Sequence, residues 1–357
     1  MPALTDPLTL RGVTLPNRVA ISPMCQYSSE DGFATDWHLV HLGARAVGGA
    51  GLVMTEATAV EARGRISPED LGLWKDAHVE PLSRIARFVA AQGAVPGIQL
   101  AHAGRKGSTP RPWDKRGLQV LTPDDGGWQP VAPSALPFYP DAPPPHALSE
   151  TEIADVVAAF AAAARRAVAA GFRLVELHAA HGYLAHEFLS PLSNHRTDRY
   201  GGPFDNRVRF ALEAARAIRA ALPDDVPLVT RVSATDWVDG GWDLEQTVEL
   251  ARSLRAEGVD AIDCSSGGTV PHARVPVGPG YQVPFAAAVR RRAEIATAAV
   301  GMLTEPAQAD GIIARGEADF VMLARASLRD ADWPLHAFTA LGHPEARRVP
   351  EQYTRAW

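Results

Sequence analysis

The sequence predicts an α/β fold, a single (β/α)8 barrel of the TIM type, and three observations carry that prediction. Short apolar runs alternate with stretches of helical period along the whole chain, and eight such runs can be counted, each with a following helix. That is the rhythm of a parallel sheet whose crossovers are all helical. The chain has 357 residues and no composition break, whereas such a barrel needs ~250, which leaves roughly 100 for additions within one domain, 1–357. Polar residues also collect where the apolar runs end, the face on which a closed barrel of this kind builds its site.

The elements follow in order. Leu8 to Leu15 reads as two short β arms around Arg11-Gly12, an N-terminal hairpin over 8–15 that closes one end of the fold. Arg18 to Met24 is a strand, Trp37 to Val47 a helix, Leu52 to Glu56 a strand, Glu80 to Ala91 a helix and Pro96 to Ala101 a strand. A Pro/Gly/Trp-rich excursion, 102–147, follows the third strand; a loop beyond ~15 residues usually marks a functional lid. Ser149-Glu150-Thr151-Glu152 is a capping box that opens a helix running to about Ala170. Arg173 begins the fourth strand, which ends abruptly in two histidines and a tyrosine. Then come a helix from about Asn206 to Ala221, strand Leu228 to Val232, helix Leu244 to Glu257, strand Ala261 to Ser265 and helix Phe285 to Glu294. Strand Ala298 to Met302, helix Pro306 to Arg315, strand Phe320 to Leu323 and helix Trp333 to Leu341 complete the barrel ahead of a tail, 349–357.

Composition narrows the function. A net charge of -6, with no basic block, argues against nucleic-acid or membrane-surface partners. No stretch approaches the ~18 uninterrupted apolar residues of a membrane span, and Met1 to Pro7 lacks the character of a signal peptide. Cys25 and Cys264 are the two cysteines, too few for a disulfide framework, and they fit a reducing compartment, with the cytoplasm as the expectation.

Three polar rings, His178, His181 and Tyr183, stand at the end of the fourth strand and can converge on one small molecule. Tyr183 is the candidate proton donor, because a neutral phenol holds its proton at neutral pH. The other strand ends carry Ser22-Pro23-Met24-Cys25-Gln26-Tyr27, Ala57, Gln99, Arg231, Gly301 and Ala324-Arg325. Gly301 and Arg325, after strands seven and eight, occupy the phosphate position of many barrels. His178-x-x-His181 is also compatible with a metal pair, in which case the chain is a metal-dependent barrel hydrolase, although a third ligand is required. Cys25 is either packing or an engaged thiol. Tyr27 could wall the pocket.

These ordered strings resemble the Old Yellow Enzyme family of FMN-dependent ene-reductases, and in particular its bacterial, thermophilic-like subgroup that carries a cysteine beside the flavin. The resemblance runs from Ser22-Pro23-Met24-Cys25 through Gln99-Leu100-Ala101-His102-Ala103-Gly104-Arg105-Lys106 to His178-Ala179-Ala180-His181-Gly182-Tyr183, then His186 to Asn194 and Tyr200-Gly201-Gly202. It implies that Ser22, Pro23, Met24, Cys25, Ala57, Gln99 and Arg231 hold the FMN ring system and that Gly301, Ala324 and Arg325 hold its phosphate. His178 and His181 would grip the activating oxygen of an α,β-unsaturated carbonyl or nitro compound, Tyr183 would protonate, and Tyr27 would contact substrate. NADPH or NADH would supply the hydride in a ping-pong cycle, its nicotinamide sharing the substrate pocket, so no separate dinucleotide fingerprint is expected and no metal. Family members commonly have glycine where this chain has Ala324, which places a methyl where backbone should approach phosphate. The tail Tyr353 to Trp357 resembles an ending in which the arginine, here Arg355, reaches the neighbouring subunit's site, implying a homodimer or homotetramer. A flavin-based redox sensor switched by Cys25 is the other alternative. The physiological alkene is not legible.

Overall fold

Residues 1–117 and 119–357 are described by the computed structural model; Leu118, within the 102–147 excursion, lies outside them. Eight parallel strands close on themselves in the order β3 (Val19–Ile21), β4 (Leu52–Ala59), β5 (Val95–Ala101), β8 (Leu174–Ala179), β9 (Leu228–Ser233), β10 (Ala261–Ser265), β11 (Ala296–Ala299) and β12 (Phe320–Leu323). The predicted (β/α)8 barrel is therefore the fold. β1 (Leu8–Leu10) and β2 (Val13–Leu15) form the expected antiparallel hairpin. Leu10, Val13 and Leu15 pack against Leu52, Met54, Leu174, Phe320 and Met322, so the hairpin stoppers the N-terminal end of the barrel.

The helices sheathe the barrel because each buries one face. α1 (Asp36–Val47), α2 (Val79–Ala91), α3 (Glu150–Ala169), α6 (Arg209–Ala221), α7 (Leu244–Ala256), α8 (Val283–Ala293) and α9 (Pro306–Ala314) follow successive strands. Ser149 caps α3 as its sequence requires: the Ser149 N–H donates to Glu152 Oε2 at 2.8 Å and the Glu152 N–H to Ser149 Oγ at 3.3 Å. Ala163, Ala164 and Ala167 of α3 and Ala211, Ala214 and Ala215 of α6 are fully buried, which lets the two helices lie close. Phe160 and Phe210, from the same faces, meet edge to face at 6.5 Å; burying such a ring contributes ~1.5–3 kcal/mol over leaving it exposed.

Several boundaries differ from those expected, for local reasons. The first strand stops at Ile21 rather than Met24, because Pro23 has no N–H to donate to a ladder. The seventh ends at Ala299 rather than Met302, because Gly301 and Met302 have φ of 122° and 51°, outside the extended region. The predicted helix 206–221 is preceded by a separate turn, α5 (Phe204–Arg207). Two short helices were not expected, α4 (Leu184–Leu189) and α10 (Arg325–Arg329), before the last helix, α11 (Trp333–Ala340). The 102–147 excursion is not structureless: β6 (Val131–Ala132) pairs in parallel with β7 (His146–Ala147).

Candidate functional site

Strand side chains alternate between the two faces of a sheet, and the barrel interior is reached by Met54, Leu174, Val229, Ala261 and Phe320. Two residues further along, the same parity turns Glu176, Arg231 and Asp263 inward, with Gln99 from β5. This layer is polar and fully buried. Gln99 Nε2 donates to Glu176 Oε1 at 2.7 Å, Arg231 Nη1 donates to Ser22 Oγ at 3.2 Å, and Arg231 Nε stands 3.0 Å from Asp263 Oδ2. Burial, together with the negative charge of Asp263, pushes the Glu176 carboxyl up to about 8, and burial raises Asp263 as well. A β-bulge between Met54 and Ala57 brings Ala57 opposite Gln99.

One step higher lie the rings. His178 sits edge-on to His181 at 5.2 Å and to Tyr183 at 5.1 Å, so the three predicted residues form one cluster. Burial, reinforced by the Arg231 guanidinium, holds both imidazoles well below the usual histidine range, so both are neutral at pH 7. His178 Nδ1 accepts the Ala180 N–H at 3.2 Å. In a neutral ring the proton therefore resides on Nε2, ready to donate. His181 has φ of 60°, a left-handed conformation that costs roughly 1–2 kcal/mol in a non-glycine residue. It is held there by its N–H to Ser233 Oγ at 2.9 Å and by Nε2 against Ser265 Oγ at 2.6 Å. Burial keeps the Tyr183 phenol protonated well above its ordinary value.

Lys106, from the excursion, closes this cluster. Its Nζ donates to His181 O at 2.8 Å and Gly268 O at 3.2 Å and lies 5.0 Å from the Tyr183 ring. Burial pushes its ammonium down to about 8. Beneath it, Glu187 Oε1 accepts the Arg105 N–H at 2.8 Å, and burial pushes that carboxyl up to about 8.

Cys25 and Tyr27 stand on the segment that leaves β3 after Ser22-Pro23-Met24. Burial, then the nearby Asp70 and Glu56 carboxylates, push the Cys25 thiol up and keep it protonated. Tyr27 has φ of 50° and meets Trp113 edge-on at 5.6 Å. Glu56 brackets the segment from below: Oε2 accepts the Gln26 N–H in a short bond, and Oε1 accepts from His38 Nε2 at 2.8 Å. The His38 tautomer is set by the Thr35 N–H, which donates to Nδ1 at 3.0 Å.

At the ends of β11 and β12 a cavity of about 250 Å³ is lined by Arg231, Gln282, Gly301, Ala324, Arg325 and Arg329. Three guanidinium groups in one cavity suit a phosphate dianion. Among the described residues, buried Arg231 Nε has no aligned hydrogen-bond acceptor despite its closeness to Asp263, so a ligand atom would complete it. Gly301 leaves room in the wall; a Cβ there would stand 2.9 Å from Gln282 Nε2 and 3.0 Å from Tyr281. Ala324 has φ of −110°, so its methyl imposes no left-handed strain. The residues present fit an FMN: Arg231, Arg325 and Arg329 would hold its phosphate, and Ser22, Ala57, Gln99 and Arg231 would hold its ring system.

Arg355 is the predicted residue not brought to the cluster within one chain. The tail docks through Trp357, whose ring is 5.0 Å from His336 and 5.5 Å from the Arg347 guanidinium, and Arg355 is exposed. Glu176, Asp263, Ser233, Lys106 and His38 were not singled out in the sequence; strand parity was the available signal for the first three. Among the described residues, no group of three or more His, Cys, Asp or Glu side chains is arranged to hold a metal ion, and no helix is long and apolar enough to cross a membrane.

The profile of the NADH:flavin oxidoreductase / NADH oxidase family matches residues 3–341. An NADPH dehydrogenase of Geobacillus sp. (strain WCH70) is 47% identical over 356 residues, covering 99% of this chain and 98% of the relative. One from Listeria innocua is 46% identical over 359 residues and 100% of both. Morphinone reductase in complex with tetrahydroNAD superposes with a TM-score of 0.77 at 29% identity, over 96% of this chain and 92% of that one. An old yellow enzyme homologue from Zymomonas mobilis gives 0.78 at 25%, over 95% and 93%. A 2-naphthoyl-CoA reductase gives 0.86 at 26%, over 96% of this chain but 53% of its own length.

Proposed function

The chain belongs to the NADH:flavin oxidoreductase / NADH oxidase family, that of the Old Yellow Enzyme, and from this premise we propose that it reduces the C=C bond of α,β-unsaturated carbonyl or nitro compounds. It is an FMN oxidoreductase that uses NADPH or NADH. FMN, which the residues at the strand ends would hold, would supply the hydride-transfer chemistry between NAD(P)H and the alkene.

The protein's own residues do the rest. The observation that carries the reading is the His178 tautomer: with Nδ1 committed to the Ala180 N–H, the ring's own proton sits on Nε2, where it would donate to the activating oxygen. A neutral donor suits an oxygen that is uncharged at first and gains negative charge as hydride arrives, the logic of an oxyanion hole. His181 grips the same oxygen, kept in place by Ser233 and Ser265. Tyr183 gives its phenolic proton to the α-carbon, so one hydride and one proton are added across the double bond. Burial that raises the phenol prevents loss of that proton to solvent between turnovers. Lys106 ties the backbone of His181 to that of Gly268 and so holds the His181 turn against the neighbouring loop. Tyr27 bounds the alkene on the side of the first strand. The protonated thiol of Cys25 favours a role as a tuner of the flavin over a reactive thiolate switch.

We place the enzyme in the cytoplasm and assign it a homodimeric or homotetrameric form in which Arg355 completes the neighbouring pocket. The testing experiment is an anaerobic absorbance spectrum of the purified protein, then with NADPH, then with an enone. Flavin bands that bleach with NADPH and return with the enone are expected. A colourless protein that does not take up FMN overturns the cofactor; bands that bleach and stay bleached overturn the alkene.

A further inference from the structure

We infer that the buried pair Asp236 and His186 positions Tyr183 for proton transfer, acting through the peptide between His181 and Gly182. The inference rests on the reading of Tyr183 as the proton donor. The Tyr183 N–H donates to Ala180 O at 3.2 Å, and between them His181 and Gly182 have φ of 60° and 73°. Two consecutive positive φ values at the centre of a β-turn are the pattern of type I′. The middle peptide of such a turn is its weak point here: rotating that one plane changes only ψ of His181 and φ of Gly182, and a glycine accepts the new φ. The oxygen grip precedes that plane, and the proton donor follows it.

The plane is pinned at both ends. Lys106 Nζ donates to its carbonyl, His181 O, at 2.8 Å. Its N–H, that of Gly182, donates to His186 Nδ1 at 2.9 Å. An imidazole accepts there only while Nδ1 is bare, so the ring proton has to sit on Nε2. Asp236 enforces that tautomer, with Oδ1 lying 3.1 Å from Nε2. The same carboxylate accepts from Ser190 Oγ at 2.6 Å, from the Trp242 N–H at 2.8 Å and from Thr269 Oγ1 at 2.5 Å. Four donors leave a carboxylic proton nowhere to go, so Asp236 is ionised, and both side chains of the pair are fully buried. One anion thus joins the segments that follow β8, β9 and β10.

The two rings flanking the plane depend on it unequally. His181 has anchors of its own, Ser233 Oγ at its N–H and Ser265 Oγ at Nε2. Tyr183 is placed by the turn and by ring contacts, with the His178 ring at 5.1 Å and Lys106 Nζ at 5.0 Å. A turn whose middle peptide is released therefore misdirects the phenol more than the imidazole. Asp236→Asn keeps the shape of the side chain but removes the charge that holds the ring proton on Nε2. With that proton on Nδ1, the Gly182 N–H has lost its acceptor.

The test is a double-mutant cycle of Asp236→Asn with Tyr183→Phe in the flavin-loaded protein, both half-reactions being followed by rapid mixing and hydrogen exchange of the Gly182 N–H measured alongside. In Asp236→Asn that exchange should rise by roughly ten-fold. The alkene step should slow on the order of 100-fold, the cost of ~1 Å of misplacement at a reacting centre, and reduction by NADPH by less than about three-fold. Added to Tyr183→Phe, the same substitution should slow the alkene step by less than about three-fold, because no proton donor is left to misplace. His186→Leu should reproduce the effect, and His186→Gln, whose amide offers an acceptor and a donor, should recover most of it; this pair carries the test if Asp236→Asn does not fold. Equal slowing with and without Tyr183 overturns the inference, as does unchanged Gly182 exchange, or a His186→Gln no faster than His186→Leu. An alkene step that Tyr183→Phe leaves as fast as wild type would instead remove the underlying reading, since that single variant tests the donor without touching the pair.

Discussion

Gly182, between His181 and Tyr183, is where this site tolerates least. Its φ is 73°, and a methyl carbon built on it would lie 2.1 Å from the Gly268 carbonyl oxygen and 2.7 Å from the Gly268 carbonyl carbon. Both are backbone atoms, so no rotamer relieves the contact. Gly182→Ala must therefore open the gap by about an ångström, 3.0 Å being the practical limit of approach. The left-handed conformation costs an alanine ~1–2 kcal/mol and overpacking ~1–3 kcal/mol, together roughly 2–5 kcal/mol. The displaced loops are those that Lys106 bridges through His181 O and Gly268 O, and misplacement by ~1 Å at a reacting centre costs on the order of 100-fold in rate. Guanidinium unfolding of the flavin-loaded variant and its kcat with an enone are the measurements. A variant within ~0.5 kcal/mol of wild type, with kcat unchanged, would refute the claim that these two loops are in rigid contact.

The remaining predictions concern single roles. Tyr183→Phe should slow the alkene half-reaction by roughly 10²–10⁴-fold while leaving reduction by NADPH nearly untouched; rapid mixing separates the two, and equal slowing of both would show that Tyr183 is not the proton donor. Glu56→Gln presents an amide to a His38 whose tautomer is fixed by Thr35, so the Cys25–Tyr27 segment should shift and the flavin midpoint potential with it; an unchanged potential leaves Glu56 a packing residue. Native Glu187 holds its proton up to about 8, against an ordinary value of 4.5. Its contribution is therefore full below pH 4.5 and lost as pH rises through about 8, a trend that buried Glu176 reinforces. Glu187→Gln should flatten the stability profile between pH 5 and 8, and denaturation midpoints falling as steeply as in wild type would contradict the assignment. Truncation after Glu351 should raise the KM for enone by removing Arg355 from the partner's pocket; unchanged kinetics with an unchanged oligomer would end that proposal.

How much of this was legible depended on the range of the forces involved. Strand and helix identity is a local matter of apolar period, and the capping box at Ser149 or the proline that ends β3 acts within a few residues. The ring triplet His178, His181 and Tyr183 was visible because it lies on one strand end, and strand parity already turned Gln99 and Arg231 inward. Arg355 marks the opposite case, since a lone chain leaves it exposed, and the role proposed for it depends on a second subunit. Barrel closure decided the rest. The register of β8 against β9, and of β9 against β10, sets Arg231 beside His178 and Asp263, and the neutral state of the imidazoles follows from that burial and that charge. The left-handed turn of His181 is held by Ser233 and Ser265 from two other strands, and Lys106 reaches it from an excursion some 75 residues earlier. By itself the sequence determined which chemistry each strand end carries, because side-chain alternation is a property of one strand; only the tertiary structure decided which donors meet, because register and loop contact are properties of strands brought together from across the chain.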